Sequence, residues 1–121
     1  MTIRKVLKNV LKSVDKIIVV AEAGDALTAM KIIEEGFEGI VVIDINSTNL
    51  DGIKTIRQIK RIRPALPVIV ISFQSDMRYM QESFKAGASG FVLKERAYED
   101  LPEAIRSVAD QTNYISIDLV P

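Results

Sequence analysis

Three residues of this chain combine type and placement in a way that could do chemistry: Asp44, Ser72 and Lys94. Each closes or directly follows a short apolar run, the runs being Ile40 to Ile43, Val68 to Ile71 and Gly90 to Leu93. A carboxylate in such a place is a nucleophile, a hydroxyl a hydrogen-bond donor, and an ammonium a compact positive charge. Together they suit an anionic phosphoryl group. Any one of them alone would only mark where the chain leaves the core, so it is their coincidence that carries the reading.

The elements around them read as an alternation of helices and strands. Ile3, Val6, Leu7, Val10, Leu11 and Val14 recur at helical spacing and predict an amphipathic helix over Thr2 to Ser13, with Arg4, Lys5, Lys8 and Lys12 on a solvated face. Ile17 to Ala21 is a β-branched run. Asp25 then caps a helix carrying Ala29, Met30 and Ile33, and Gly36 stops it. Ile40 to Ile43 is the next strand. Asp51 and Gly52 open a helix striped by Ile53, Ile56, Ile59 and Ile62, and Pro64 and Pro67 punctuate the loop before the strand Val68 to Ser72. Asp76 to Ala86 is a helix with Met77, Met80 and Phe84 inward, ended by Gly87. After the strand Gly90 to Leu93, a last helix is striped by Leu101, Ala104, Ile105 and Val108, with Pro102 expected in or near its first turn, and Tyr114 to Val120 alternates as a final strand.

Five helices alternating with five short apolar strands predict an α/β fold, a parallel sheet covered on both faces. In such sheets ligands sit beyond the carboxyl ends of the strands, which puts Asp44, Ser72 and Lys94 on one rim. At 121 residues the chain is expected to form a single domain spanning 1–121 and to bury a core without disulfide or metal support. It contains neither cysteine nor histidine, which fits a reducing compartment, and its 16 basic and 16 acidic residues argue against a general binder of nucleic acid or membrane surface. No apolar run is long enough for a membrane span, and no apolar signal core follows Met1. The expected location is cytoplasmic.

Asp44 to Gly52 reads DINSTNLDG, and residues 87–94 read GASGFVLK. In order and spacing these resemble a bacterial response-regulator receiver domain of two-component signalling, in the subfamily usually joined to a helix-turn-helix output domain. "VAEAGDALTAM" and "LPEAIRSVA" extend the likeness, which covers about Ile3 to Ser116. The resemblance implies a flavodoxin-like three-layer fold with a five-stranded parallel sheet and a phosphoacceptor at Asp44. It makes Ser72 the hydroxyl after the next strand, Lys94 the phosphoryl-pairing lysine, Phe91 the aromatic switch residue, and Asn46 the position whose backbone carbonyl binds Mg2+. A histidine kinase or phosphotransfer protein is the implied phosphodonor, an unidentified protein the implied target. Such a chain phosphorylates itself and signals, so it is not expected to be an enzyme in the turnover sense. Ser47 and Thr48 depart from the methionine-proline usual in that loop, removing a rigid turn. Two other readings stay open: a non-phosphorylated pseudo-receiver that works as a protein-interaction module, and a small flavin or nucleotide binder.

The family begins with a strand ending in two adjacent acids, whereas this sequence begins at the helix that follows it. That strand normally lies in the middle of the sheet, where a vacancy would strand buried backbone groups at about 1 to 3 kcal/mol each. Tyr114 to Val120 is therefore expected to fill the slot, between Ile17 to Ala21 and Ile40 to Ile43, as a circular permutation or a swap within a homodimer. Asp118 would then stand beside Asp44 as a metal ligand in place of one lost acid. With the chain stopping shortly after the last helix, no output domain and no direct DNA binding are expected.

Overall fold

Helix formation follows the apolar stripes. Ile56 and Ile59, one turn apart, are fully buried, while Lys54, Arg57 and Arg61 on the same helix face solvent. The computed structural model describes residues 26–44, 52–72 and 77–116, with Asp44 described by its backbone. In chain order the elements are helix α1 (Ala26–Glu34), strand β1 (Val41–Asp44), helix α2 (Gly52–Ile62), strand β2 (Val68–Ser72), helix α3 (Met77–Ala86), strand β3 (Gly90–Leu93), a 3-10 turn (Lys94–Arg96), helix α4 (Ala97–Ala109) and strand β4 (Tyr114–Ile115). The predicted helix at Thr2 to Ser13, the strand Ile17 to Ala21, and the caps Asp25 and Asp51 lie outside the described residues.

The four strands of the described residues run parallel in the order β1-β2-β3-β4. Because β2 and β3 are interior, both their faces are buried, so each residue of VIVIS and GFVL is covered. Two cores result. On one face Ile33, Ile43, Ile56, Ile59, Val68, Val70, Met80, Phe91 and Leu93 join the strands to α1, α2 and α3. On the other, Ile69, Ile71 and Val92 pack against Ala97, Leu101, Ala104 and Val108 of α4. Each Val, Leu, Ile, Met or Phe side chain among these, taken from water, contributes about 1.5 to 3 kcal/mol.

Helix ends follow their local chemistry. Gly87 (φ +117) closes α3 with Gly87 N donating to Phe84 O (3.0 Å) and Ala88 N to Ser83 O (3.0 Å), the paired reverse bonds of a left-handed cap. The end of α4 uses the same pattern without glycine. Gln111 takes the left-handed conformation (φ 65), its N–H donates to Val108 O (2.9 Å), and Thr112 N donates to Ser107 O (2.8 Å).

Several expectations are corrected. Met77 is 38% exposed rather than inward; α3 buries Met80, Ser83 and Ala86, and the Ser83 hydroxyl donates to Tyr79 O (3.0 Å). Pro102 stands in the second turn of α4, because the helix starts at Ala97, earlier than the apolar stripe suggested. The larger correction concerns the final strand. Tyr114 and Ile115 pair with Gly90 and Phe91 on the outer edge of β3, not beside β1, so these two residues do not form a permuted or swapped central strand, and 117–120 lie outside the described residues. The tight turn after α4 consumes the linker, and α4 lies over β3 and β2, so the chain returns one strand spacing away, about 4.8 Å from β3. The open edge of β3 needed donors and acceptors as much as the proposed slot did. Tyr114 N donates to Ser89 O (3.1 Å) and Ser116 N to Phe91 O (3.0 Å). Among the described residues the sheet has four strands, and none of them pairs with the outer side of β1.

Candidate functional site

The strand registers build the site. Asp44 pairs with Ile71, one residue before Ser72, and Ser72 pairs with Leu93, one residue before Lys94. The three residues thus step across the carboxyl ends of β1, β2 and β3, with Cα atoms of successive members about 6 Å apart from strand spacing and rise. The registers place the backbones of these residues at neighbouring strand ends.

Ser72 is 1% exposed. By register it lies on the face of the sheet that carries Val70, Phe91 and Leu93, which brings the hydroxyl and the aromatic ring to one side. Phe91 itself is completely buried in that core. The resemblance implies an inward shift of this ring on phosphorylation; here the ring already lies inside. Lys94 is half-buried and opens the 3-10 turn, which Ala97 N closes by donating to Lys94 O. Asn46 and Asp118 lie outside the described residues. Among the described residues no group of three or more His, Cys, Asp or Glu side chains gathers to hold a metal ion.

One cluster beside Lys94 was not anticipated from the sequence. Asp100, 4% exposed, receives Arg96 Nε on Oδ2 (3.0 Å) and Arg96 Nη2 on Oδ1 (3.3 Å). The Ser116 hydroxyl, fully buried, donates to Asp100 Oδ2 (2.9 Å) and accepts from Leu93 N (2.9 Å). Tyr114 also hydrogen-bonds Asp100. Its phenol is pushed up to about 12, first by burial, then by the charges of Asp100 and Glu103 and the bond to Asp100, with Arg96 opposing. The spacing of Arg96 and Asp100, four residues apart on a helix start, is a signal that sequence reading could have used. Nothing local ties Ser116 to either.

Comparison with known proteins decides the family. The profile of the response regulator receiver domain matches residues 1–106. The chain belongs to that family. It is 31% identical over 112 residues to the transcriptional regulatory protein DegU of Brevibacillus brevis, covering 93% of this chain and 48% of that protein. It is 32% identical over 109 residues to the chemotaxis protein CheY of Listeria monocytogenes, covering 90% of this chain and 91% of that one. Among solved structures, a LuxR-family two-component response regulator from Aurantimonas sp. SI85-9A1 superposes with a TM-score of 0.90 at 27% identity, over 97% of this chain and 84% of that one. The chain spans about half the length of relatives such as DegU and MctR of Rhizobium johnstonii. The architecture is therefore the α/β, flavodoxin-like receiver fold, and the receiver is a signalling module.

Proposed function

We propose that this receiver accepts a phosphoryl group on Asp44 from a histidine kinase or phosphotransfer protein and passes the signal on through protein contacts. The observation that carries the reading is the stepped register of Asp44, Ser72 and Lys94 across three neighbouring strand ends. An Asp44 carboxylate oxygen attacks phosphorus, forming a P–O bond as the P–N bond to the donor imidazole breaks; the electron pair returns to that nitrogen, and an acyl phosphate remains. The Ser72 hydroxyl donates a hydrogen bond to a phosphoryl oxygen, and the Lys94 ammonium neutralises another.

The resemblance gives Mg2+ the Asp44 carboxylate and the Asn46 carbonyl, a poor site unless another carboxylate joins them. Bound there, the ion would supply charge neutralisation for the transferring group. No helix of the described residues is long and apolar enough to cross a membrane, and a cytoplasmic location accords with the proposed phosphodonors.

The complete burial of Phe91 favours a second reading, in which the switch residue stays in one position and the chain is an unphosphorylated interaction module. Incubation with a small phosphodonor and Mg2+, followed by intact-mass measurement, separates the two. Phosphoryl transfer predicts the mass of one added phosphoryl group, absent in Asp44→Asn. No uptake at any magnesium concentration leaves the interaction module.

A further inference from the structure

The residue placed to anchor the phosphoryl group sits on a weak support. Lys94 opens a 3-10 turn of three residues, preceded by Leu93 in extended conformation with no side-chain cap. Such turns have poor hydrogen-bond geometry and do not by themselves hold a side chain in register. What fixes this one is outside it. Before Lys94, the Leu93 N–H donates to Ser116 Oγ (2.9 Å); after it, the Arg96 guanidinium meets both oxygens of Asp100 (3.0 and 3.3 Å). The Ser116 hydroxyl donates to the same carboxylate (2.9 Å), so one buried pair holds both flanks of Lys94.

The ladder geometry sharpens the point. In a parallel pair continued by one rung, the Leu93 N–H would donate to a backbone carbonyl of the neighbouring strand. It donates to the serine hydroxyl instead, and the hydroxyl hands the connection to Asp100 across 16 residues of sequence. Ser116 and Asp100 are almost wholly out of water, where such bonds are strong and polarise one another. Arg96 also pairs with Glu99 (3.4 Å), and Tyr114 completes the shell of the carboxylate.

We propose that Ser116 and Asp100 are positioning residues for Lys94, holding the turn so that its ammonium meets the phosphoryl group on Asp44. This rests on the role given to Lys94 above. The segment after α4 is then part of the phosphoryl site through its hydroxyl, although it lies on the far edge of the sheet from Asp44.

The test compares the full chain with Ser116→Ala and the hydroxyl-retaining Ser116→Thr, with thermal unfolding to establish that each is folded at the assay temperature. Two quantities are read: the rate of phosphorylation by a small phosphodonor with Mg2+, and the rate at which Lys94 is acylated by an amine reagent, against Lys54 and Lys85 in the same digest. Loss of the two hydrogen bonds of the buried Ser116 hydroxyl predicts about a 3- to 10-fold fall in phosphorylation rate in Ser116→Ala and a change of similar size in Lys94 acylation, with the other lysines unmoved and Ser116→Thr close to the parent. Unchanged values of both quantities in folded Ser116→Ala overturn the proposal. If the parent takes up no phosphoryl group, the phosphorylation reading fails on its own, and Lys94 acylation decides: a selective change upholds the positioning and none overturns it. Should Ser116→Ala not fold, Asp100→Asn is read in the same way.

Discussion

At the scale of the residue, the buried carboxylate Asp100 makes the sharpest demands. It gathers the Arg96 guanidinium and the hydroxyls of Ser116 and Tyr114. Asp100→Ala leaves those donors without their acceptor, and we expect a loss of about 3 kcal/mol in urea unfolding, the scale for breaking one side of a buried pair. Tyr114 gives a pH signature of known sign. Its phenol ionises by losing a proton, and the fold raises its value from 10.0 to about 12 by burial and by the neighbouring carboxylates, so the fold favours the neutral form. Its contribution is complete below pH 10 and disappears as the pH rises through about 12. Tyr114→Phe should therefore lose less stability than the parent across that window; identical alkaline unfolding curves would contradict the assignment. The strand-end positions of Asp44, Ser72 and Lys94 were legible in the sequence because each closes or follows an apolar run. Asp100 and Ser116 were not, because the bond that joins them and the bond from Leu93 to Ser116 span 16 and 23 residues.

At the scale of the element, Gly87 shows how a helix end is specified. Its φ of +117 is a conformation that side chains rarely adopt, and a Cβ there would stand 2.7 Å from Lys60 Cγ. The lysine stem has little freedom to withdraw, since Lys60 Nζ donates to Leu66 O (2.9 Å), and burial lowers its pKa. Gly87→Ala is expected to destabilise by about 1 to 2 kcal/mol in equilibrium unfolding, chiefly from backbone strain. The strands β1 to β3 and the helices α1 to α3 were readable because period and punctuation agree: short, mostly apolar runs of four or five, apolar residues at helical spacing, and glycine or proline after the last turn. The final strand was recognised as a strand but misplaced. Its own residues do not encode which edge it joins. That was settled by the Gln111 turn, which a residue other than glycine in the left-handed conformation conceals from sequence reading, and by the open edge of β3. The early start of α4 was hidden because Ala97 to Asp100 carries no apolar stripe, only the Arg96–Asp100 pair.

At the scale of the whole molecule, the balance of charge bears on the protein contacts proposed above. With 16 basic and 16 acidic residues the chain lacks the excess positive charge on which duplex affinity rests, and we expect fluorescence anisotropy at physiological salt to show binding no tighter than about 1 μM. Sequence-specific binding well below that would overturn it. The central claim is narrower, that the phosphoryl group resides on Asp44. Borohydride reduction of the phosphorylated chain converts an aspartyl acyl phosphate to homoserine, and trypsin releases Asp44 within the segment Ile32 to Lys54, which also carries Asp51. Sequencing of that peptide by mass spectrometry is the most direct measurement. Homoserine at position 44 alone is the predicted result; homoserine at position 51, elsewhere in the chain, or nowhere after exposure to phosphodonor and Mg2+ would contradict the account.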